Sequence, residues 1–295
     1  MRPRVEGQTI ENADLSLRAS GSNRLVVAPV ATAAYYAARD RRILLLHGYN
    51  VKERDGQIAM AAMRHALGEG CPSLRSQILT VTWPGNESWW RGGAATYFSK
   101  VQVARATGER LRDAMVSDYA LGLGSRELVI VAHSLGCRVT LEFLKRLDRA
   151  SRPAMLEKVV VVLMAAAVPT HLDALFQSAR DNADEIVILH STDDWVLRSF
   201  FRVGQWLAGE GKLPEALGHA GNPRTPPWSF DQQMVGYGHG DYWTEAVTAD
   251  VIGERLTSYF TDIDYRVPIG RTHRLAERPS LGQTGFLPEF GIGGL

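Results

Sequence analysis

The 295-residue chain is 45% apolar and 22% charged, the balance of a globular protein able to bury a sizeable core as one large domain or two small ones. A net charge of +1 gives no overall field to hold nucleic acid or an anionic membrane, so partners must be argued from a site. The two cysteines, Cys71 and Cys137, are too few and too far apart for a disulfide scaffold or a zinc site, and they fit a reducing compartment.

The first 20 residues lack the continuous apolar core of a signal peptide, and the next candidate, from Leu25, follows too long a polar stretch. The longest apolar run, Val159 to Val168, is far short of the ~20 residues of a membrane helix. A soluble, cytoplasmic protein without a transmembrane segment is expected.

Residues 1–41 are expected to add edge strands and a short helix over Ala31–Ala38. Strands follow at Ile43–Leu46, Ile78–Val81, Leu128–Val131, Val159–Leu163 and Ile186–Leu189, each continuously apolar, as strands covered on both faces are. Helical patterns fill the spacers at Gln57–Leu67, Ala94–Tyr119, Val139–Leu147 and Leu172–Ala179. Strand alternating with helix predicts an α/β fold with a mostly parallel central sheet and helices on both faces.

From Gly209 to Gly240 the composition turns to Gly, Pro and His, which predicts a long ordered loop. Residues 196–238 are the cap candidate, with Phe200, Phe201, Trp206 and Trp228 available to cover a site. The expected organisation is an N-terminal segment 1–41, a main domain 42–262 and an extended arm 263–295. That arm can pack along the body or reach a second copy in a homo-oligomer.

Ligands bind beyond the carboxyl ends of the strands in open α/β sheets. There the sequence reads His47-Gly-Tyr-Asn50, Thr82-Trp-Pro-Gly85, Ala132-His-Ser-Leu-Gly136, Ala167-Val-Pro-Thr170, His190-Ser-Thr-Asp-Asp-Trp195 and Gly238-His-Gly-Asp-Tyr-Trp243. A serine, an acid and a histidine emerge in the chain order of the α/β-hydrolase triad.

Ser134 stands between a strand and a helix, with Ala132 and Gly136 as the small residues a nucleophile elbow needs where backbones nearly touch. The helix after it aims backbone N–H groups at the site and favours a developing negative charge. The same serine also reads as a helix cap. The oxyanion needs two donors, each worth ~10²–10³ in rate, and the candidates are the N–H groups of Leu135 and Tyr49. Gly48 lets the Tyr49 backbone come close.

The acid is Asp193 or Asp194, the other being expected to cap the helix that begins near Trp195. Of the eight histidines, His47, His133 and His190 at strand ends read as structural. His65 and His171 fall in or near helices, and His219 and His273 in irregular segments. His239, between two glycines, is best placed to reach Ser134. Trp89, Trp90 and Tyr97 can line an acyl pocket or pack under the long helix, and Cys137 is expected to pack on the elbow helix.

The segments L-L-L-H-G-Y-N-V, T-W-P-G and V-A-H-S-L-G resemble the bacterial α/β-hydrolase family DUF900, and H-S-T-D-D-W-V-L with G-H-G-D-Y resembles the related DUF726 hydrolases. The resemblance spans roughly residues 42–245 and implies an acid three residues after a serine, which selects Asp194. Where these families often carry an acid in a turn after the fourth strand, this chain has A-A-A-V-P-T and lacks it.

The reading is a serine hydrolase cleaving a small or lipid-like acyl ester with Ser134, His239 and Asp194, without metal or organic cofactor and without a nucleic-acid partner. A thioesterase or acyltransferase would use the same triad, a peptidase fits less well, and a non-catalytic binding protein on this fold is the reading from another class.

Overall fold

A computed structural model of the chain describes residues 14–16, 40–49, 53–85, 93–120, 124–147, 152–223 and 228–269. The expected helix at 31–38, Trp89 and Trp90, and the arm beyond residue 269 lie outside the described residues.

Seven parallel strands form one sheet in the order β1-β3-β2-β4-β5-β6-β7. They are β1 (Asp14–Ser16), β2 (Arg41–Leu46), β3 (Ile78–Thr82), β4 (Glu127–His133), β5 (Lys158–Met164), β6 (Glu185–His190) and β7 (Asp231–Met234). The helices are α1 (Glu53–Gly70), α2 (Gly93–Ala120), α3 (Leu135–Arg146), α4 (Asp173–Asn182), α5 (Phe201–Leu207, continuing a π-helical turn at Val196–Phe200), α6 (Leu217–Ala220) and α7 (Ala246–Tyr259). None of the described helices is long and apolar enough to cross a membrane.

Alternation along each strand divides the core. Ile43, Leu45, Val129, Val131, Val160 and Val162 face Met60, Met63 and Leu67 of α1 and Ile252 and Leu256 of α7. Leu44, Leu46, Leu128, Ile130, Val161 and Leu163 face the other layer, with Val101, Ala104 and Leu111 of α2, Val139 and Phe143 of α3, and Phe176 of α4. With helices on both faces, the central strands have no polar side to show, which is why they read as unbroken apolar runs.

The segment expected to be a long loop contains α6 and the edge strand β7. That strand reads Asp-Gln-Gln-Met and is largely exposed, so it lacks the apolar signature of its neighbours. Two residues expected to cover a site are core instead. Phe201 is buried, and Trp228 stacks on Phe176 at 4.2 Å and donates Nε1–H to Asp173 at 2.8 Å. Phe200 and Trp206 are exposed.

Candidate active site

β4 runs into α3 through Ser134, whose φ of 54° and ψ of −123° lie where L-residues are strained. The surroundings hold that conformation. Its N–H donates to the Met164 carbonyl at 2.9 Å, and its carbonyl accepts from Ala167 at 3.1 Å and Cys137 at 3.1 Å. The hydroxyl makes no capping bond to the helix it precedes. The serine occupies the cap position with its side chain turned elsewhere.

The small neighbours have measurable causes. A Cβ on Gly136 would stand 2.5 Å from the His47 carbonyl oxygen, a backbone atom that cannot swing aside. A Cβ on Gly48 would stand 2.7 Å from the Ser134 Cβ. The loop after β2 is therefore pressed against the elbow, and glycine is required on both sides of the contact.

Trp83, just after β3, latches that loop from below. Its backbone N–H donates to His47 Nε2 at 3.2 Å and its indole N–H to the His47 carbonyl at 2.7 Å, with the rings stacked at 5.8 Å. His47 Nδ1 faces the Gly48 carbonyl at 2.9 Å, so the ring donates there and accepts from Trp83. Trp83 of the Trp-Pro pair thus fixes His47, two residues before Tyr49. As the first residue of α3, Leu135 has an N–H without a partner inside the helix by position. Gly48, the residue before Tyr49, lies against Ser134, and Leu135 follows the serine directly.

His239 comes from the turn between β7 and a 3₁₀ turn at Asp241–Trp243. Its Nε2 lies 2.9 Å from Ser134 Oγ and its Nδ1 lies 2.7 Å from Asp194 Oδ2. A carboxylate can only accept, so Nδ1 carries the proton and Nε2 is left to accept from the serine hydroxyl. Asp194 is fully buried, and His239 keeps 19% of its side chain exposed.

Asp194 makes both contacts that the sequence divides between two acids, one oxygen to His239 and one to a helix N-terminus. Its second oxygen accepts the Leu197 N–H at 3.0 Å and caps the helical turn, while Asp193 is exposed. The expected cap on Asp193 is therefore corrected. One carboxylate has two oxygens, and the turn aims one at each donor.

His133, read from the sequence as structural, makes a hydrogen bond to the backbone of His239. Its Nε2–H donates to the His239 carbonyl at 2.7 Å, while Nδ1 is buried without a partner among the described residues. Burial and the adjacent His239 push its pKa down to about 3, so it stays a neutral donor. Tyr242 and Trp243 pack their rings on it at 5.8 and 5.9 Å. Burial and the Asp194 charge hold the Tyr242 phenol protonated. Its position directly before the serine was the available signal.

Of the pocket candidates, Tyr97 packs edge-on against Tyr49 at 5.3 Å and accepts a hydrogen bond from Gln205 of α5 at 3.0 Å. It joins the loop after β2 to the segment after β6. Cys137 is buried on α3, directing its thiol to the Ala132 carbonyl at 3.2 Å, and burial pushes its pKa up.

The sheet, its helices and a strained serine at a strand–helix junction define an α/β-hydrolase fold. Residues 30–206, more than half of the chain, match the family described as "Alpha/beta hydrolase of unknown function (DUF900)", and the chain belongs to it. That span includes Ser134 and Asp194 and ends before His239, so the histidine rests on geometry alone.

Among solved structures, the lin2722 gene product of Listeria innocua is similar at 10% identity, with a TM-score of 0.45 over 76% of this chain and 97% of that one. A thermophilic esterase of Thermogutta terrifontis, Est2 with butyrate bound, is similar at 12% identity, with a TM-score of 0.33 over 76% of this chain and 85% of that one. A search of curated proteins found no match.

Proposed function

We propose that the protein is a serine hydrolase of acyl esters in which Ser134 is the nucleophile, His239 the general base and acid, and Asp194 the residue that orients the imidazole. The observation that carries this reading is the continuous hydrogen-bonded chain from Ser134 Oγ through both nitrogens of His239 to a fully buried carboxylate.

Ser134 Oγ attacks the acyl carbonyl carbon while its proton passes to His239 Nε2, and the carbonyl electron pair moves onto oxygen. The backbone N–H groups of Leu135 and Tyr49 stabilise that oxyanion. Collapse of the intermediate breaks the bond to the alkoxide, which leaves with the proton from Nε2. A water then gives its proton to Nε2, attacks the acyl-enzyme and releases the acid as Oγ regains its proton. Asp194 holds the ring orientation throughout and stabilises the imidazolium.

Labelling with a fluorophosphonate probe tests the nucleophile. The wild-type chain is expected to take one equivalent and Ser134→Ala none. Equal labelling of the two, or none of the wild type, removes the proposal.

A further inference from the structure

Ten large apolar side chains are exposed among the described residues, and six of them fall between positions 195 and 213. They are Trp195, Phe200, Val203, Trp206, Leu207 and Leu213, from 39% to 55% exposed. This stretch starts at the residue after Asp194. Over the helical turns at 196–207 the inward side carries Leu197, Phe201, Gly204 and Gln205 and the outward side Phe200, Val203, Trp206 and Leu207. Trp195 stands just before these turns and Leu213 in the bend beyond.

The apolar side is not a loose element awaiting a place in the core. Its inner side is already anchored, by the Gln205–Tyr97 bond and by Glu210, which is buried between Arg138 at 2.8 Å and Arg105. Glu210 is the only acid between 195 and 213 and is neutralised there. The exposed charges of the stretch are Arg198, Arg202 and Lys212, all basic, and the exposed acids Asp193 and Glu215 flank it, which leaves a net positive surface. The whole-chain charge of +1 conceals this local excess.

We propose that residues 195–213 form an interfacial docking surface for a bilayer bearing anionic headgroups. Trp and Phe suit the boundary between acyl chains and headgroups, and the interspersed arginines and lysine complement the negative surface. A protein partner with an acidic rim would satisfy the charges. The dispersal of the bases around the exposed Trp206 and the edge-packed pair Trp195 and Phe200, 5.0 Å apart, fits a fluid interface instead. Tyr97 ties the surface to the loop beside Ser134, so docking would bring the site to the lipid phase. The binding claim stands independently of the chemistry at Ser134.

The test is partition of the full chain onto vesicles of phosphatidylcholine, and of phosphatidylcholine with one quarter phosphatidylglycerol, followed by sedimentation. The wild-type chain is expected to bind the anionic vesicles at least 10-fold better than the neutral ones, with 0.5 M salt weakening the difference. Phe200→Ser/Trp206→Ser and Arg198→Glu/Arg202→Glu should each lower partition, the latter by roughly 5-fold or more per base changed. Both variants should keep the wild-type melting temperature and fluorophosphonate labelling.

Failure of the wild-type chain to partition overturns the proposal, as does equal binding by the Phe200/Trp206 variant. A wild-type oligomer that this variant converts to monomer, without vesicle binding, would assign the surface to a second copy.

Discussion

The loop of Ser134 and the loop of His239 meet at a 2.9 Å hydrogen bond, yet they are held by different means. The serine turn is fixed through its backbone, by bonds to Met164, Ala167 and Cys137 and by close approach of Gly48 and Gly136. The histidine turn is steadied by side chains, Asp194 on the ring and His133 on the carbonyl. A strained backbone needs surroundings that over-determine it, whereas an imidazole in the proposed proton-shuttling role needs a fixed tautomer and little else. Changes at the first loop should therefore damage fold and activity together, and changes at the second should damage activity with the fold intact.

The largest joint effect is expected from Gly136→Ala, which drives a methyl group into the His47 carbonyl. Stability should fall by about 1–3 kcal/mol, read by urea denaturation, and ester hydrolysis should be lost. A stable variant with wild-type activity would break the contrast at its stronger side.

On the histidine side, Asp194→Asn should lower kcat on an activated short-chain ester by ~10³–10⁴, because the amide favours the wrong tautomer. Asp193→Asn, at an exposed position, should stay within about 2-fold of wild type. The reverse ranking would transfer the role to Asp193.

A smaller loss, roughly 10-fold in kcat, is expected for His133→Ala, with partial recovery in His133→Gln, which can again donate to the His239 carbonyl. His133 also has a pH signature. Its native pKa near 3 lies below the unfolded value of 6.5, so the unfolded chain binds the extra proton between those limits. Stability conferred by the neutral ring is full above about pH 6.5 and is lost as the pH falls toward 3. Denaturation at pH 5 and pH 7 should show a slope shallower by about 0.7 proton, averaged over that interval, in the glutamine variant. An unchanged slope would mean that the ring protonates in the native state.

The same division explains what the sequence could reveal. Five strands were legible because both their faces are covered, and β7 was not, since an exposed edge strand of Asp-Gln-Gln-Met carries no apolar signal. Ser134 was legible because an elbow imposes local rules on its neighbours. His239 could be reached only through chain order, as the bond that places it spans 105 residues. The Asp194 contact with His239 and the Trp83 latch on His47 were hidden for the same reason, because each joins residues far apart in the chain.

The cooperation of the two loops is tested most directly by mapping the fluorophosphonate adduct by tandem mass spectrometry in the wild-type chain and in His239→Ala. The adduct is expected on Ser134, forming at least 10²-fold more slowly in the variant while its melting temperature is unchanged. An adduct on another residue, or an equal rate in His239→Ala, would contradict a serine activated by this histidine.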